Sequence, residues 1–426
     1  MKRILIFLTV IILSFYFFPI NFTFFLPDIN TKIILATIGI FIFLWGLIKR
    51  KKIVISHEIF VATVIAGIFS LIGFYSVTIN NTNDFTYATY VVSMWVWLGG
   101  AYTVCYTVAK VHGYISVKLI MNYLIGLCVL QCIIALLIDN IFFVQYIVET
   151  YVAGYENRSE GGRLYGIGAT VDVAGTRFSS ILAMIAVLLS HDNEIRKNRK
   201  YIVMYVIAFV FITVIGSMIS RTTNIGALVA FAYVIYATGV VSTKIKHTNL
   251  RMWSILISVV AILVLFCIYL YNNVPAAYNL FRFGFEGFIN WLETGVWSTH
   301  STNLLQTMWV FPESLKTWII GDGYFMDPEK PGAFYMMTDI GYCRFIFYCG
   351  LIGLFTFSVY FVYIAIACYK RFSEFKHLFL ILLLLEFIIW AKVSTDIFLV
   401  FALFLCIPMI QIHHNYHNNK EIQNES

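Results

Sequence analysis

Apolar residues run through this chain in long blocks, from Ile4 to Ile412, and the connections between the blocks are mostly short and polar. About 20 apolar residues carry a helix across a bilayer. The blocks therefore predict about twelve transmembrane helices, at 4–20, 32–48, 53–76, 88–109, 114–138, 177–190, 201–219, 223–242, 252–271, 341–368, 377–391 and 395–412. The expected fold class is an all-α polytopic membrane protein with a single transmembrane domain over 1–412 and a polar tail over 413–426. The sixth span and the last two are the weakest. Lys392 and Asp396 flank so tight a turn that 377–412 has a re-entrant pair as its alternative. The first block follows Met1-Lys2-Arg3 as a signal peptide would, but no small-x-small cleavage site occurs before Pro27, so it is expected to stay as a first helix.

Two connections are long, 139–176 and 272–340. Long segments in compact proteins are functional or disordered, and these hold many aromatics, including Tyr146, Tyr151, Tyr155 and Tyr165 in the first and Phe281, Phe283, Phe285, Trp291 and Trp297 in the second. Packing on the membrane face, partly as interfacial helices, is the expectation.

Charge orients the chain. A net +7 with 12% charged residues would suit nucleic acid only if the cations formed one surface, and here they are scattered in small groups. With the amino terminus inside, 19 of the 29 Lys and Arg fall on the cytoplasmic side, against 6 of the 22 acids. That is the bias that sets orientation. It places both termini in the cytoplasm and both long loops outside, with no nucleic-acid partner. All eight cysteines lie in apolar segments, without the spacing of a disulfide or zinc framework. There is also no phosphate loop, no His-Glu-x-x-His and no nucleophile elbow.

Against an outer face that is otherwise acidic, arginines gather: Arg158 and Arg163 in the first loop, Arg177 at the start of the sixth span, Arg221 after the seventh and Arg344 just inside the tenth. One outer arginine is explained by snorkelling to the interface; a cluster fits bidentate binding of phosphate or pyrophosphate. Arg221 stands out because Ser220-Arg221-Thr222-Thr223-Asn224 is a very short connection. Arg177, read as beginning a helix, gains nothing from the dipole there. Asp339 is a candidate general base or a helix cap, and His300 a second base or a headgroup contact. Glu386 is a lone intramembrane carboxylate, a proton site of a transporter or a carboxylate paired inside the bundle, and a lone instance favours pairing.

Four stretches give the chain its resemblance to the O-antigen polymerase family (Wzy), within the O-antigen polymerase and ligase superfamily. They are Gly162-Arg163-Leu164-Tyr165-Gly166 with Arg177 and Phe178; Ser220-Arg221-Thr222; Gly321-Asp322-Gly323; and Asp339-Ile340-Gly341-Tyr342 leading to Gly350-Leu351-Ile352-Gly353. The likeness covers about 160–355. It implies a C-type membrane glycosyltransferase fold in a bacterial inner membrane. It further implies that undecaprenyl-pyrophosphate-linked oligosaccharide units are joined into O-antigen or capsular polysaccharide at the outer face, with no cofactor or metal. Membrane lipid and a chain-length regulator are the other partners implied. Arg221 would stabilise the leaving pyrophosphate with Arg163, Arg177, Arg344 and Tyr342 as further substrate contacts, and Asp339 or His300 would be the base. Related ligases carry a histidine where this chain has Asp339, which favours polymerase over ligase. A flippase or transporter is the rival from another class; it is expected to show paired intramembrane charges and repeated halves.

Overall fold

In the computed structural model, residues 2–26, 29–50, 56–155, 162–240 and 247–424 are described, and they are all-α. Two isolated antiparallel bridges, Phe22 with Val152 and Met326 with Phe334, are the extended pairings among them. The helices pack as two compact units, one of 1–19, 29–120 and 301–426, the other of 20–28 and 121–300.

The chain opens with α1 (Lys2–Phe17), α2 (Thr31–Arg50), α3 (His57–Ile79), α4 (Tyr90–His112) and α5 (Val117–Asn140). There follow α6 (Phe142–Tyr151), α7 (Val171–His191), α8 (Asn193–Lys197), α9 (Arg199–Ile219), α10 (Thr222–Ala237) and α11 (His247–Asn273). The second long connection holds α12 (Pro275–Gly284), α13 (Glu286–Thr294), α14 (His300–Thr307) and α15 (Leu315–Ile319), and the chain continues through α16 (Gly341–Arg371), α17 (Lys376–Trp390) and α18 (Phe398–Asn424). Eight of these, α2, α3, α4, α5, α7, α9, α11 and α16, are long and apolar enough to cross a membrane, so this is a multi-pass membrane protein. The other predicted spans fall on shorter apolar stretches: 16 residues each in α1 and α10, 15 in α17, and Phe398–Gln411 in α18.

The second unit is built around α7. Every residue from Ala174 to Ser190 is buried, and Gly226 of α10 lies so close that a Cβ there would meet the Ser179 backbone at 2.2 Å. Small residues let helices approach where lipid gives no hydrophobic drive to do so. Its hydroxyls find partners inside: Ser179 donates to Thr222 O of α10 at 3.0 Å, and Ser180 back to Thr176 O at 3.0 Å. By contrast the apolar stretch of α11 is only 11% buried, as suits a lipid-facing helix. The predicted start of this span is corrected. The helix begins at Val171, six residues before the expected boundary, so Arg177 sits nearly two turns inside it and does not begin it.

In the first unit, α2 and α4 meet through Gly39 and Gly99, where a Cβ on Gly39 would lie 1.9 Å from Gly99 O. Trp390 of α17 is fully buried, stacked on Phe357 at 5.3 Å and edge-on to Phe345 at 4.9 Å. Glu386 is buried too and accepts the Ile397 N–H at 3.1 Å, which satisfies the backbone between α17 and α18.

Within α16 the helix is broken at Gly350 (φ 66°, ψ −173°). The carbonyls freed by the break find their donors in the Gly321-Asp322-Gly323 turn: Asp322 N–H donates to Phe347 O at 2.6 Å and Gly323 N–H to Tyr348 O at 3.2 Å. Ser76 of α3 donates to Tyr348 O as well, at 2.7 Å. Residues 319–323 thus enter beside the first nine residues of α16, about 14 Å along its axis.

That conformation at Gly350 is one essentially reserved for glycine, and a Cβ would stand 2.1 Å from Ile319 O. Gly350→Ala should therefore cost at least about 2 kcal/mol and lower the melting temperature of the detergent-purified protein. An unchanged melting temperature would mean the break is not fixed in this way.

Candidate functional site

Two clusters collect the candidate residues, one in each unit.

In the second unit Arg221 is the N-cap of α10, held in the turn after α9. Two neighbours build that turn. Asp172, in the first turn of α7, accepts from Ser220 Oγ at 3.2 Å and from Thr222 Oγ1. Asn224 takes the Ser217 hydroxyl at 2.6 Å and donates to Gly284 O at 3.1 Å. The α12–α13 junction then meets the guanidinium: Nε donates to Phe283 O at 2.8 Å, Glu286 lies 2.6 Å from Nη2, and the Phe283 ring lies 4.5 Å from the guanidinium carbon. Arg163 lies over the same ring, at 5.0 Å. Desolvation pulls the Arg221 guanidinium below its ordinary value, Glu286 opposes that, and Arg163 adds to it. The Arg221–Glu286 pair is about one-fifth exposed on either side, so its Coulomb energy is partly screened and its main effect is orientation. Glu286 also receives the His300 N–H at 3.1 Å, which ties the exposed start of α14 to the cluster. Arg177 is buried within α7. Arg158 lies outside the described residues.

In the first unit the cluster forms around Arg344, one turn into α16 and 4% exposed. A short hairpin, with Tyr335 N–H donating to Phe325 O at 3.2 Å and Asp327 N–H to Ala333 O at 2.9 Å, sets Phe325 and Phe334 on the guanidinium carbon, at 3.6 and 3.5 Å. Asp339 approaches Nη1 at 3.5 Å and is one-third exposed. Nε and Nη2 have no hydrogen-bond partner among the described residues. The base of the hairpin is fixed by Asp84, which accepts the Phe325 and Met326 N–H groups at 2.8 and 3.0 Å. Asp322 accepts from Thr317 at 2.7 Å and Tyr335 at 3.3 Å. Burial, then Asp322, pushes the Tyr335 phenol up to about 12, so it remains a donor in neutral solution. Met336 and Met337, at φ 56° and 54°, turn the chain in the left-handed region just before Asp339, a conformation that costs non-glycine residues energy and clusters at functional sites. Tyr342 donates to Phe387 O at 2.8 Å, which directs its hydroxyl at the α17 backbone.

Of the outer arginines the sequence groups, Arg221 and Arg163 meet on one ring while Arg177 lies buried within α7, and in the first unit Asp339 and Arg344 come together. Sequence reasoning missed Glu286, Asp172 and Asp84, the carboxylates that position them. Two of the three carried a local signal: Glu286 is a lone acid in Phe283-Gly284-Phe285-Glu286-Gly287-Phe288, and Asp84 ends the polar run Asn80-Asn81-Thr82-Asn83.

No protein-family model, curated protein or solved structure matches this chain.

Two rings set 62° apart, each within 3.6 Å of the guanidinium carbon, suit a planar cation better than an ammonium. Arg344→Lys should lower stability by about 1–2 kcal/mol, the worth of a desolvated cation–π contact, read as a fall in melting temperature. An unaltered melting temperature would show that the rings do not hold the cation.

Proposed function

We propose that this protein polymerises lipid-linked oligosaccharide units at the outer face of a bacterial inner membrane, as the resemblance to the O-antigen polymerase family implies. In this reading the chain crosses the membrane about twelve times, with both termini in the cytoplasm. The observation that carries the reading is the Arg221 cluster: two guanidiniums, Arg221 and Arg163, share one aromatic ring, with Arg221 oriented by Glu286 and the Phe283 carbonyl.

Paired guanidiniums suit a pyrophosphate, whose charge grows as it leaves. The acceptor hydroxyl oxygen bonds to the anomeric carbon of the growing chain as the bond from that carbon to the undecaprenyl pyrophosphate breaks. The electron pair leaves with the pyrophosphate, where Arg221 and Arg163 meet it. The resemblance names Asp339 or His300 for the hydroxyl proton; of these His300 belongs to the same unit as Arg221, its backbone N–H held by Glu286. Direct transfer inverts the anomeric centre. The reaction as proposed draws on no nucleotide sugar, cofactor or metal, and a chain-length regulator is a proposed partner.

Deletion of the gene in a polysaccharide-producing host should collapse the surface polymer ladder to a single repeat on gels. Wild type should restore it. Arg221→Ala and Asp339→Ala should each fail to do so, at normal protein abundance. Full-length polymer left on its lipid carrier after deletion would make the protein a ligase. Repeat units stranded on the cytoplasmic side would make it a flippase.

A further inference from the structure

The second unit contains a polar recess that adjoins the Arg221 cluster through a shared residue. Its volume is about 220 Å³, and it is lined by Asp139 at the end of α5, Gln145 of α6, Arg163 and Tyr165 of the following loop, and Asn279 of α12. Ile138 and Leu280 supply its apolar walls. Arg163, which stacks on Phe283 beside Arg221, is thus common to both places.

Three features decide what such a recess fits. The first is size: it falls below the roughly 300–1,000 Å³ of pockets for drug-sized ligands, so it takes one small ring. Charge is the second. Its lining offers one guanidinium and one carboxylate, so neither a free anion nor a cation is favoured by net charge. A metal ion would need more ligands than Asp139 alone provides, and no group of three or more His, Cys, Asp or Glu side chains suited to a metal occurs among the described residues. The third is the mixture of groups. A carboxylate accepts from hydroxyls, a guanidinium donates to them, and the amides of Gln145 and Asn279 do both. Tyr165 is tied back by its hydroxyl to Glu149 at 2.7 Å, which holds that wall in place.

We propose that this recess is a binding site for a single neutral sugar ring, hydroxyls toward Asp139, Gln145, Arg163 and Asn279 and ring C–H groups toward Ile138 and Leu280. The proposal rests on the polymerase reading in one respect: there the ring is the residue of the lipid-linked unit nearest the pyrophosphate held by Arg221.

The test uses the full-length protein purified in detergent and saturation-transfer NMR with a panel of free monosaccharides: hexoses, 6-deoxyhexoses and N-acetylhexosamines. At least one should receive saturation. Asn279→Trp, which fills the recess, should abolish the signal. Asn279→Ala and Gln145→Ala, at exposed and half-exposed positions that leave the fold intact, should each reduce it at least about fivefold, the scale of one lost hydrogen bond. No transfer to any sugar, or transfer unchanged in all three variants, overturns the proposal. The gene-deletion ladder decides the polymerase reading independently. A collapsed ladder without variant-sensitive transfer removes the sugar site alone, and variant-sensitive transfer with an intact ladder leaves a sugar site on a protein that is not the polymerase.

Discussion

A peptide carbonyl inside a membrane protein must be hydrogen-bonded by the protein itself, and the break in α16 puts that constraint on two carbonyls at once. At Gly350 the helical ladder stops, and Phe347 and Tyr348 carbonyls are left without their usual partners. The turn at Gly321–Gly323 supplies the donors. The turn is itself pinned by Asn80, which donates to Gly321 O at 3.1 Å, and by Thr82, which donates to Gly323 O at 2.8 Å. From that anchored turn the chain proceeds into the Phe325–Phe334 hairpin that encloses Arg344. The arginine's surroundings are therefore set by a backbone requirement three steps away.

The same logic separates the two kinds of charge in this protein. Arg221 sits in a partly exposed turn and keeps its orientation through one carboxylate, one carbonyl and one ring. Arg344 is almost wholly enclosed and is held mainly by two aromatic faces, with Asp339 at the edge. A partly exposed cation is available to an anion from solution; an enclosed one acts on its neighbours. This is why the proposed pyrophosphate contact is assigned to Arg221 and Arg163.

Much of the architecture was legible in the chain. Blocks of apolar residues marked helices because lipid admits little else, and each of the twelve blocks coincides with a helix. What composition could not convey is which of those helices face lipid and which face protein. The sixth block, 177–190 in the apolar pattern, belongs to a longer helix that starts at Val171, where Thr176, Arg177, Ser179 and Ser180 are enclosed by protein and hydroxyls find partners. At the sites, arginines were legible because a cation on an acidic face needs a reason. The carboxylates that aim them stand out locally, but the pairing does not, since Glu286 reaches Arg221 across more than sixty residues of chain. The break at Gly350 was likewise hidden, because glycine in an apolar run is common and only the approach of Ile319 O makes it obligatory.

The contrast between α7 and α11 has an evolutionary consequence. A helix bathed in lipid must stay apolar, and any exchange among Ile, Leu, Val and Phe serves it equally, so its letters drift while its character persists. A helix buried along its length, with Gly226 and Thr222 of α10 pressed against Ser179, has no such freedom. Descent in such a chain is recorded chiefly in its enclosed helix and in the turns that close on it, a small fraction of its length. Kinship between distant copies of this architecture is then to be sought in a few small and hydroxylated positions, because the apolar majority will have been rewritten without cost.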